Sequence, residues 1–188
     1  WWDAATVQRM IDDTPDGALL MLDEAYSEFA PAGTLPPLDV TNPKLLRFRT
    51  FSKAYGLAGL RVGYMMGSAE VIGLLNRVRQ PFNVNLPALA AAEAALDDAD
   101  FVQRTREVNA TGLAQLAAGL TALGYEYIDG KANFLAAKIP DADALFTRLQ
   151  KAGVIVRPLR GYGMVGWLRL TVGTSAQNAR LLAELAQR

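Results

Sequence analysis

The order of apolar runs along the 188 residues predicts an α/β fold with two parts. Apolar runs of strand length, such as LLMLD and WLRLTVG, alternate with segments such as SAEVIGLLNRVRQ, whose apolar residues recur at helical spacing. Hydrophobic residues make up 51% of the chain, which is enough to form a buried core. This length and composition predict one domain or two small ones.

The first part is predicted to contain two helices and three strands. The segment WDAATVQRMIDDTP has helical spacing and ends near Pro15, so a short helix is expected. ALLMLDEAY is a continuous apolar run that ends in acids, the pattern of a buried parallel strand whose C-terminal end meets a site. The remaining elements are the strands LLRFRTFS and GLRVGYMMG, which follow a Pro/Gly loop, and the capped amphipathic helix SAEVIGLLNRVRQ.

A hinge is predicted at PFNVNLP, where the pattern breaks, and we place the domain boundary between residues 85 and 86. A long helical stretch follows, with a break near Asp97 to Asp100. The later elements are strands YEYID and NFLAAKI, helix DADALFTRLQKAG, strands VIVRP and WLRLTVG, and helix SAQNARLLAELAQR. Both parts are therefore expected to be α/β.

Composition excludes several classes of function. The chain has 19 basic residues (Lys and Arg) and 19 acidic residues (Asp and Glu). Its net charge therefore does not attract nucleic acid or an anionic membrane. The chain has no Cys and no His, which excludes disulfides, thiolate and imidazole metal sites, and Ser-His-Asp triads. We therefore predict no metal site. No apolar run reaches the roughly 18 residues of a membrane span, and the start lacks a signal-peptide pattern, so a cytoplasmic location is predicted.

Polar residues stand at the ends of three predicted strands. They are Asp23 with Tyr26, Ser52 with Lys53, and Arg169. Because ligands of open α/β sheets gather at the carboxyl ends of strands, these side chains are expected to converge.

The chemistry of these groups fits an aldehyde cofactor with a pyridine ring and a phosphate. A lysine that attacks a carbonyl needs desolvation or a neighbouring cation, and Lys53 has apolar neighbours and Arg61 nearby. Asp23 could keep a pyridine nitrogen protonated, and Ser52 with Arg61 could bind a phosphate. From the residues alone, an ordinary surface lysine, a helix cap and ion-paired arginines explain the same pattern.

Five segments, taken together and in order, closely resemble the histidinol-phosphate aminotransferases, within the fold-type I, class I/II pyridoxal-phosphate aminotransferases. They are LLMLDEAYSEF, RTFSKAYGLAGLRVGY, NFLAAKI, GVIVRPLRGYG and WLRLTVGT. The motif SKAYGLAGLRVGY is specific for the superfamily. The DEAY-EF form and the ending VRPLRGYG…LRLTVGT point to the histidinol-phosphate branch. The resemblance implies that Lys53 forms an imine with pyridoxal 5'-phosphate, that Asp23 pairs with the pyridine nitrogen and that Tyr26 donates to the phenolic oxygen of the ring. It also implies that Ser52 and Arg61 bind the phosphate.

The resemblance further implies roles for two arginines in substrate binding. Arg169 would hold the carboxylate of the amino donor and Arg157 the phosphate of the phosphorylated substrate, whereas Arg160 has no assigned role. The implied reaction is transamination between L-histidinol phosphate and 2-oxoglutarate, with glutamate/2-oxoglutarate as the carboxylate-bearing pair, in histidine biosynthesis by a homodimer. The alternatives are an aromatic amino-acid aminotransferase, a threonine-phosphate decarboxylase-like enzyme, and a non-catalytic α/β module.

Members of this family are about twice as long as this chain. The resemblance places the extra part before Trp1, where a phosphate-wrapping loop, an aromatic residue stacked on the pyridine ring and an Asn-Pro-Thr-Gly turn are expected. Residues 1–85 would then be the end of the large cofactor domain and residues 86–188 the small C-terminal domain. This segment alone is expected to be inactive.

Overall fold

The computed structural model describes residues 1–187, and the chain divides into two compact units, Trp1–Thr105 and a second that begins at Arg106. The helices are α1 (Ala4–Asp12), α2 (Ala69–Val78), α3 (Leu86–Asp97), α4 (Ala99–Ala122), α5 (Ala142–Lys151) and α6 (Ser175–Ala186). The strands are β1 (Leu20–Asp23), β2 (Leu45–Thr50), β3 (Gly63–Gly67), β4 (Glu126–Ile128), β5 (Phe134–Lys138), β6 (Arg157–Pro158) and β7 (Trp167–Thr171). Every predicted helix and strand is confirmed, as is the helix break near Asp98.

The first unit is built on a three-stranded sheet with the order β1-β2-β3. β1 is parallel to β2, and β3 is antiparallel to β2. α1 begins at Asp3, whose carboxylate accepts the N–H of Thr6 at 2.7 Å. The buried side chains of Val7 and Ile11 on this helix pack against Leu45 of β2.

β1 differs from the fully buried strand that its apolar run predicts. Leu20 and Leu22 pack on the cluster that α1 forms with β2, but Met21 on the opposite face is 64% exposed. The apolar composition indicates two covered faces, and among residues 1–187 only one of them is covered. The prediction of a fully buried strand is therefore wrong for the described part of the chain.

α3 belongs to the first unit. Its N-cap is Asn85, whose side-chain oxygen accepts the N–H of Ala88 at 2.8 Å. Ala88 and Ala92 of this helix pack against Phe51 and Val62. For this reason the compact units divide after Thr105, further along the chain than the predicted boundary between residues 85 and 86. That boundary stays a prediction about the domains of a complete enzyme.

The second unit contains a four-stranded sheet with the order β4-β5-β7-β6, and all of its pairings are antiparallel. One face of this sheet forms the core, in which Leu135, Leu168 and Leu170 are fully buried among side chains of α4, α5 and α6. Trp167, Arg169 and Thr171 alternate with these leucines and lie on the other face. The strand predicted at VIVRP is reduced to Arg157–Pro158. The N–H of Val154 donates at 2.8 Å to the carbonyl of Leu149 in α5, so this residue closes the end of the helix and does not pair in the sheet.

Among residues 1–187, no helix combines the length and the apolar character that a membrane span requires.

Candidate active site

The carboxyl ends of β1 and β2 border a cavity of about 550 Å³ in the first unit. Four of the predicted cofactor residues line it: Asp23, Ser52, Lys53 and Arg61. The fifth, Tyr26, places its ring centroid 5.4 Å from the Nζ atom of Lys53. The prediction that these strand ends bring their polar side chains together is confirmed for the residues of the first unit. The volume lies within the range of small-molecule sites.

Lys53 is held in a turn that follows β2. The residues on either side anchor this turn, since Phe51 and Ala54 are only 3% and 1% exposed. The N–H of Gly56 donates to the carbonyl of Lys53 at 3.0 Å, and Gly56 has a φ of +70°, a conformation that favours glycine. These contacts leave the half-buried side chain of Lys53 at the cavity wall.

Asp23 ends β1 at the rim of the cavity. One oxygen of its carboxylate accepts the N–H of Ala25 at 3.0 Å, which fixes the turn that leads to Tyr26. The N–H of Glu24, which lies between Asp23 and Ala25, donates to the carbonyl of Phe48 at 2.8 Å and extends the pairing of β1 with β2. The carboxylate is therefore positioned by the backbone of its own turn.

Arg61 has an uncommon backbone conformation for a residue with a side chain. Its φ is +55°, in the left-handed region, and its Nη1 donates to the carbonyl of Ala58 at 2.8 Å. Such residues cluster at functional sites, where the surrounding structure maintains the strain. At this turn the guanidinium group adds a positive charge to the wall that Lys53 also lines.

A buried charge network lies behind Asp23, and the sequence analysis missed it. Glu24 and Arg47 are 5% and 2% exposed, and Nε of Arg47 donates to Glu24. Nη1 of Arg47 also donates to the carbonyls of Pro36 and Pro37, at 3.1 and 3.2 Å. Nε of Arg49 donates to the other oxygen of Glu24 at 3.0 Å. A sequence signal existed, because two arginines that alternate along an apolar strand indicate a buried acid nearby.

Two pKa shifts accompany this network. Burial alone would lower the pKa of Arg49, but its hydrogen bond with Glu24, the charge of Glu24 and its contact with Tyr64 raise that pKa. Burial raises the pKa of the Tyr55 phenol, and the charge of Glu28 raises it further. Both groups therefore keep their protons at neutral pH.

The second unit places two of the predicted substrate residues side by side. Arg157 of β6 and Arg169 of β7 are register partners, which confirms that they lie on neighbouring strands. Like charges opposite each other in a sheet are destabilising, and a bound anion would offset their repulsion. The prediction that Arg169 stands at a strand end is wrong, because it lies in the middle of β7. That it joins the residues of the cavity stays a prediction.

Two further contacts distinguish the arginines of the second unit. Cζ of Arg169 lies 4.9 Å from the ring centroid of Phe134, and its buried Nε has no hydrogen-bond partner among residues 1–187. Arg160, whose role the sequence left open, pairs with Asp143 at an exposed site. In the described part of the chain, no cluster of three or more acidic residues is arranged to hold a metal ion.

Comparison with known proteins places this arrangement in a family. Residues 1–185 match the family described as aminotransferase class I and II. The chain belongs to that family. This class I and II aminotransferase chain is 52% identical over 184 residues to histidinol-phosphate aminotransferase 1 of Thiobacillus denitrificans, covering 96% of the chain and 48% of the relative. It is 49% identical to histidinol-phosphate aminotransferase 2 of Pseudomonas aeruginosa, covering 100% of the chain and 52% of the relative.

The fold agrees with this assignment. The crystal structure of histidinol-phosphate aminotransferase from Sinorhizobium meliloti, in complex with pyridoxal-5'-phosphate, superposes with a TM-score of 0.91 and 31% identity, over 100% of this chain and 53% of that one. The predicted fold-type I aminotransferase architecture is confirmed. This aminotransferase chain spans about half the length of the curated relatives it matches.

Proposed function

We propose that the complete protein carrying this chain is a pyridoxal-phosphate-dependent aminotransferase that moves an amino group between L-histidinol phosphate and 2-oxoglutarate. One observation carries the proposal: an amine, a carboxylate, a hydroxyl and a guanidinium group surround a single cavity, at Lys53, Asp23, Ser52 and Arg61. Sequence identities of 52% and 49% to two histidinol-phosphate aminotransferases support the choice of substrate.

The residues of the cavity fit the proposed cofactor by charge and by chemical type. When bound, pyridoxal phosphate supplies an aldehyde that takes the amino group and a ring that withdraws electrons from the substrate carbon. Lys53 and Arg61 bring positive charge to the cavity, which suits an anionic group, and Ser52 adds a hydroxyl donor. Asp23, whose carboxylate is fixed by Ala25, would hold a proton on the ring nitrogen.

Lys53 and Tyr26 would act at the carbonyl end of the cofactor. The Nζ atom of Lys53 would hold the cofactor covalently at rest. Once the amine of the substrate displaces it, the freed amine would carry the proton between the substrate Cα and the aldehyde carbon of the cofactor. The ring of Tyr26, 5.4 Å from that Nζ, would place its hydroxyl near the phenolic oxygen. Both roles need the lysine at the end of a rigid turn, and Phe51 and Ala54 provide that turn.

Arg169 and Arg157 would bind the anionic groups of the substrates. Arginine suits carboxylate and phosphate because its planar group forms paired, charge-assisted hydrogen bonds. The register pairing of Arg157 with Arg169 supports binding of two kinds of anionic group, a carboxylate at Arg169 and the phosphate of L-histidinol phosphate at Arg157. Homodimeric assembly and a cytoplasmic location belong to the same proposal and rest on the family resemblance.

Single-turnover kinetics of each half-reaction test this proposal. We expect the complete protein to react rapidly with glutamate and with L-histidinol phosphate. Faster reaction with phenylalanine or tyrosine would favour an aromatic aminotransferase, and release of carbon dioxide from threonine phosphate would favour the decarboxylase. No absorbance change on addition of pyridoxal phosphate would favour a non-catalytic module.

A further inference from the structure

The surroundings of Arg169 identify a residue that the proposed function does not use. Because Leu168 and Leu170 point into the core, Arg169 lies on the opposite face of β7. On the neighbouring strand β5, Ala136 is the register partner of Arg169. Phe134 stands two residues from Ala136 and therefore lies on the same face, diagonal to the arginine.

The ring of Phe134 contacts the charged group of Arg169. The distance from Cζ of Arg169 to the ring centroid is 4.9 Å, within the limit of about 6 Å for a cation–π contact. Ala136, directly opposite the arginine, contributes only a methyl group, so Phe134 is the bulky neighbour that β5 offers. The ring restrains the guanidinium group from one side.

This restraint leaves at least one hydrogen-bond donor of Arg169 available. Its Nε is buried and has no hydrogen-bond partner among residues 1–187, whereas Arg160 in the same unit is paired with Asp143. A carboxylate neighbour would orient the guanidinium group but would also neutralise its charge and occupy its N–H groups. An aromatic ring orients the group and does neither. A group that is ordered in advance loses less conformational freedom when a ligand binds.

We propose that Phe134 is a positioning residue for anion binding, whose ring holds the guanidinium group of Arg169 in the orientation that receives a substrate carboxylate. This inference rests on the proposed function, which makes a carboxylate the ligand of Arg169. Phe134 itself contributes no polar contact to the substrate.

A double-mutant cycle in the complete protein tests the inference, with 2-oxoglutarate affinity measured by calorimetry. Phe134→Leu should weaken binding by about 2- to 30-fold, the effect of losing a cation–π contact. In an Arg169→Met background the same substitution should cause no further loss. Phe134→Tyr, which keeps the ring, should restore the affinity. Phe146→Leu removes a ring that packs on the core from α5 and serves as the matched control, with unchanged affinity expected.

The outcomes separate the inference from the proposed function. Equal losses from Phe134→Leu in both backgrounds would indicate a general structural effect and overturn the positioning role. If Arg169→Met weakens binding and Phe134→Leu does not, only the inference fails. If Arg169→Met leaves the affinity unchanged, the proposed carboxylate role of Arg169 fails and the inference fails with it.

Discussion

Arg47 in the first unit and Arg169 in the second are both arginines on inner strands, and their charged groups have different partners. Arg47 is 2% exposed and donates to Glu24 and to two proline carbonyls. Arg169 is restrained by the ring of Phe134, and its buried Nε has no hydrogen-bond partner among residues 1–187. The first charge is neutralised inside the protein, and we propose that the second is used to bind a ligand.

This difference separates two uses of charge in one chain. A buried charge with a full set of partners stabilises one arrangement of strands, and removing one partner is costly. A restrained charge without an acceptor leaves its interaction energy for binding. Substitutions in the first group should therefore change stability, and substitutions in the second should change ligand affinity.

Glu24→Gln should lower the free energy of unfolding by about 3–5 kcal/mol, because it leaves Arg47 buried without its counter-charge. Urea denaturation of the complete protein measures this change. The matched control is Asp143→Asn, which breaks the exposed pair with Arg160 and should cost about 0–1 kcal/mol. Similar losses for the two variants would contradict the structural role of the buried network.

Asp23→Asn should reduce turnover by about 100- to 1,000-fold, or 2.7–4 kcal/mol, while the fold is kept. The amide oxygen of asparagine can still accept the N–H of Ala25, so the turn after β1 should survive, but the negative charge is lost. Steady-state kinetics and circular dichroism measure the two properties. Asp39→Asn, in another turn of the same unit, is the control and should leave turnover unchanged. Normal turnover of the Asp23 variant would refute its assignment.

Arg169→Lys should weaken the glutamate half-reaction by about 10- to 150-fold, since losing a hydrogen bond to a charged group costs about 1.5–3 kcal/mol. Arg157→Ala should weaken the histidinol phosphate half-reaction more than the glutamate half-reaction. Single-turnover kinetics of each half-reaction distinguishes the two arginines. An equal effect of Arg157→Ala on both substrates would contradict its phosphate-specific role and favour the aromatic aminotransferase.

The order of helices and strands could be predicted from the sequence because each element has a local signal. Ser68 and Thr174 cap their helices, and the side chain of Asp98 accepts the N–H of Phe101 where α4 begins. The meeting of Asp23 and Lys53 at one cavity could also be predicted from the sequence. Asp23 ends β1 and Lys53 follows the neighbouring parallel strand β2, so both lie at the same edge of the sheet.

What the sequence did not predict depends on pairing between distant residues. The contact of Glu24 with Arg47 requires the register of β1 against β2, and that of Phe134 with Arg169 requires the register of β5 against β7. The packing of Ala88 against Phe51, which joins α3 to the first compact unit, was not predicted for the same reason, since PFNVNLP gives no sign of it.

Chemical labelling shows directly whether Lys53 binds the cofactor covalently. The complete protein is incubated with pyridoxal phosphate, reduced with borohydride, digested and analysed by mass spectrometry. The cofactor should be found on Lys53, the lysine at the cavity wall, and the label should disappear from this peptide in Lys53→Arg. A label on Lys44 or Lys151 instead, with Lys53 unmodified, would contradict the proposed role of Lys53.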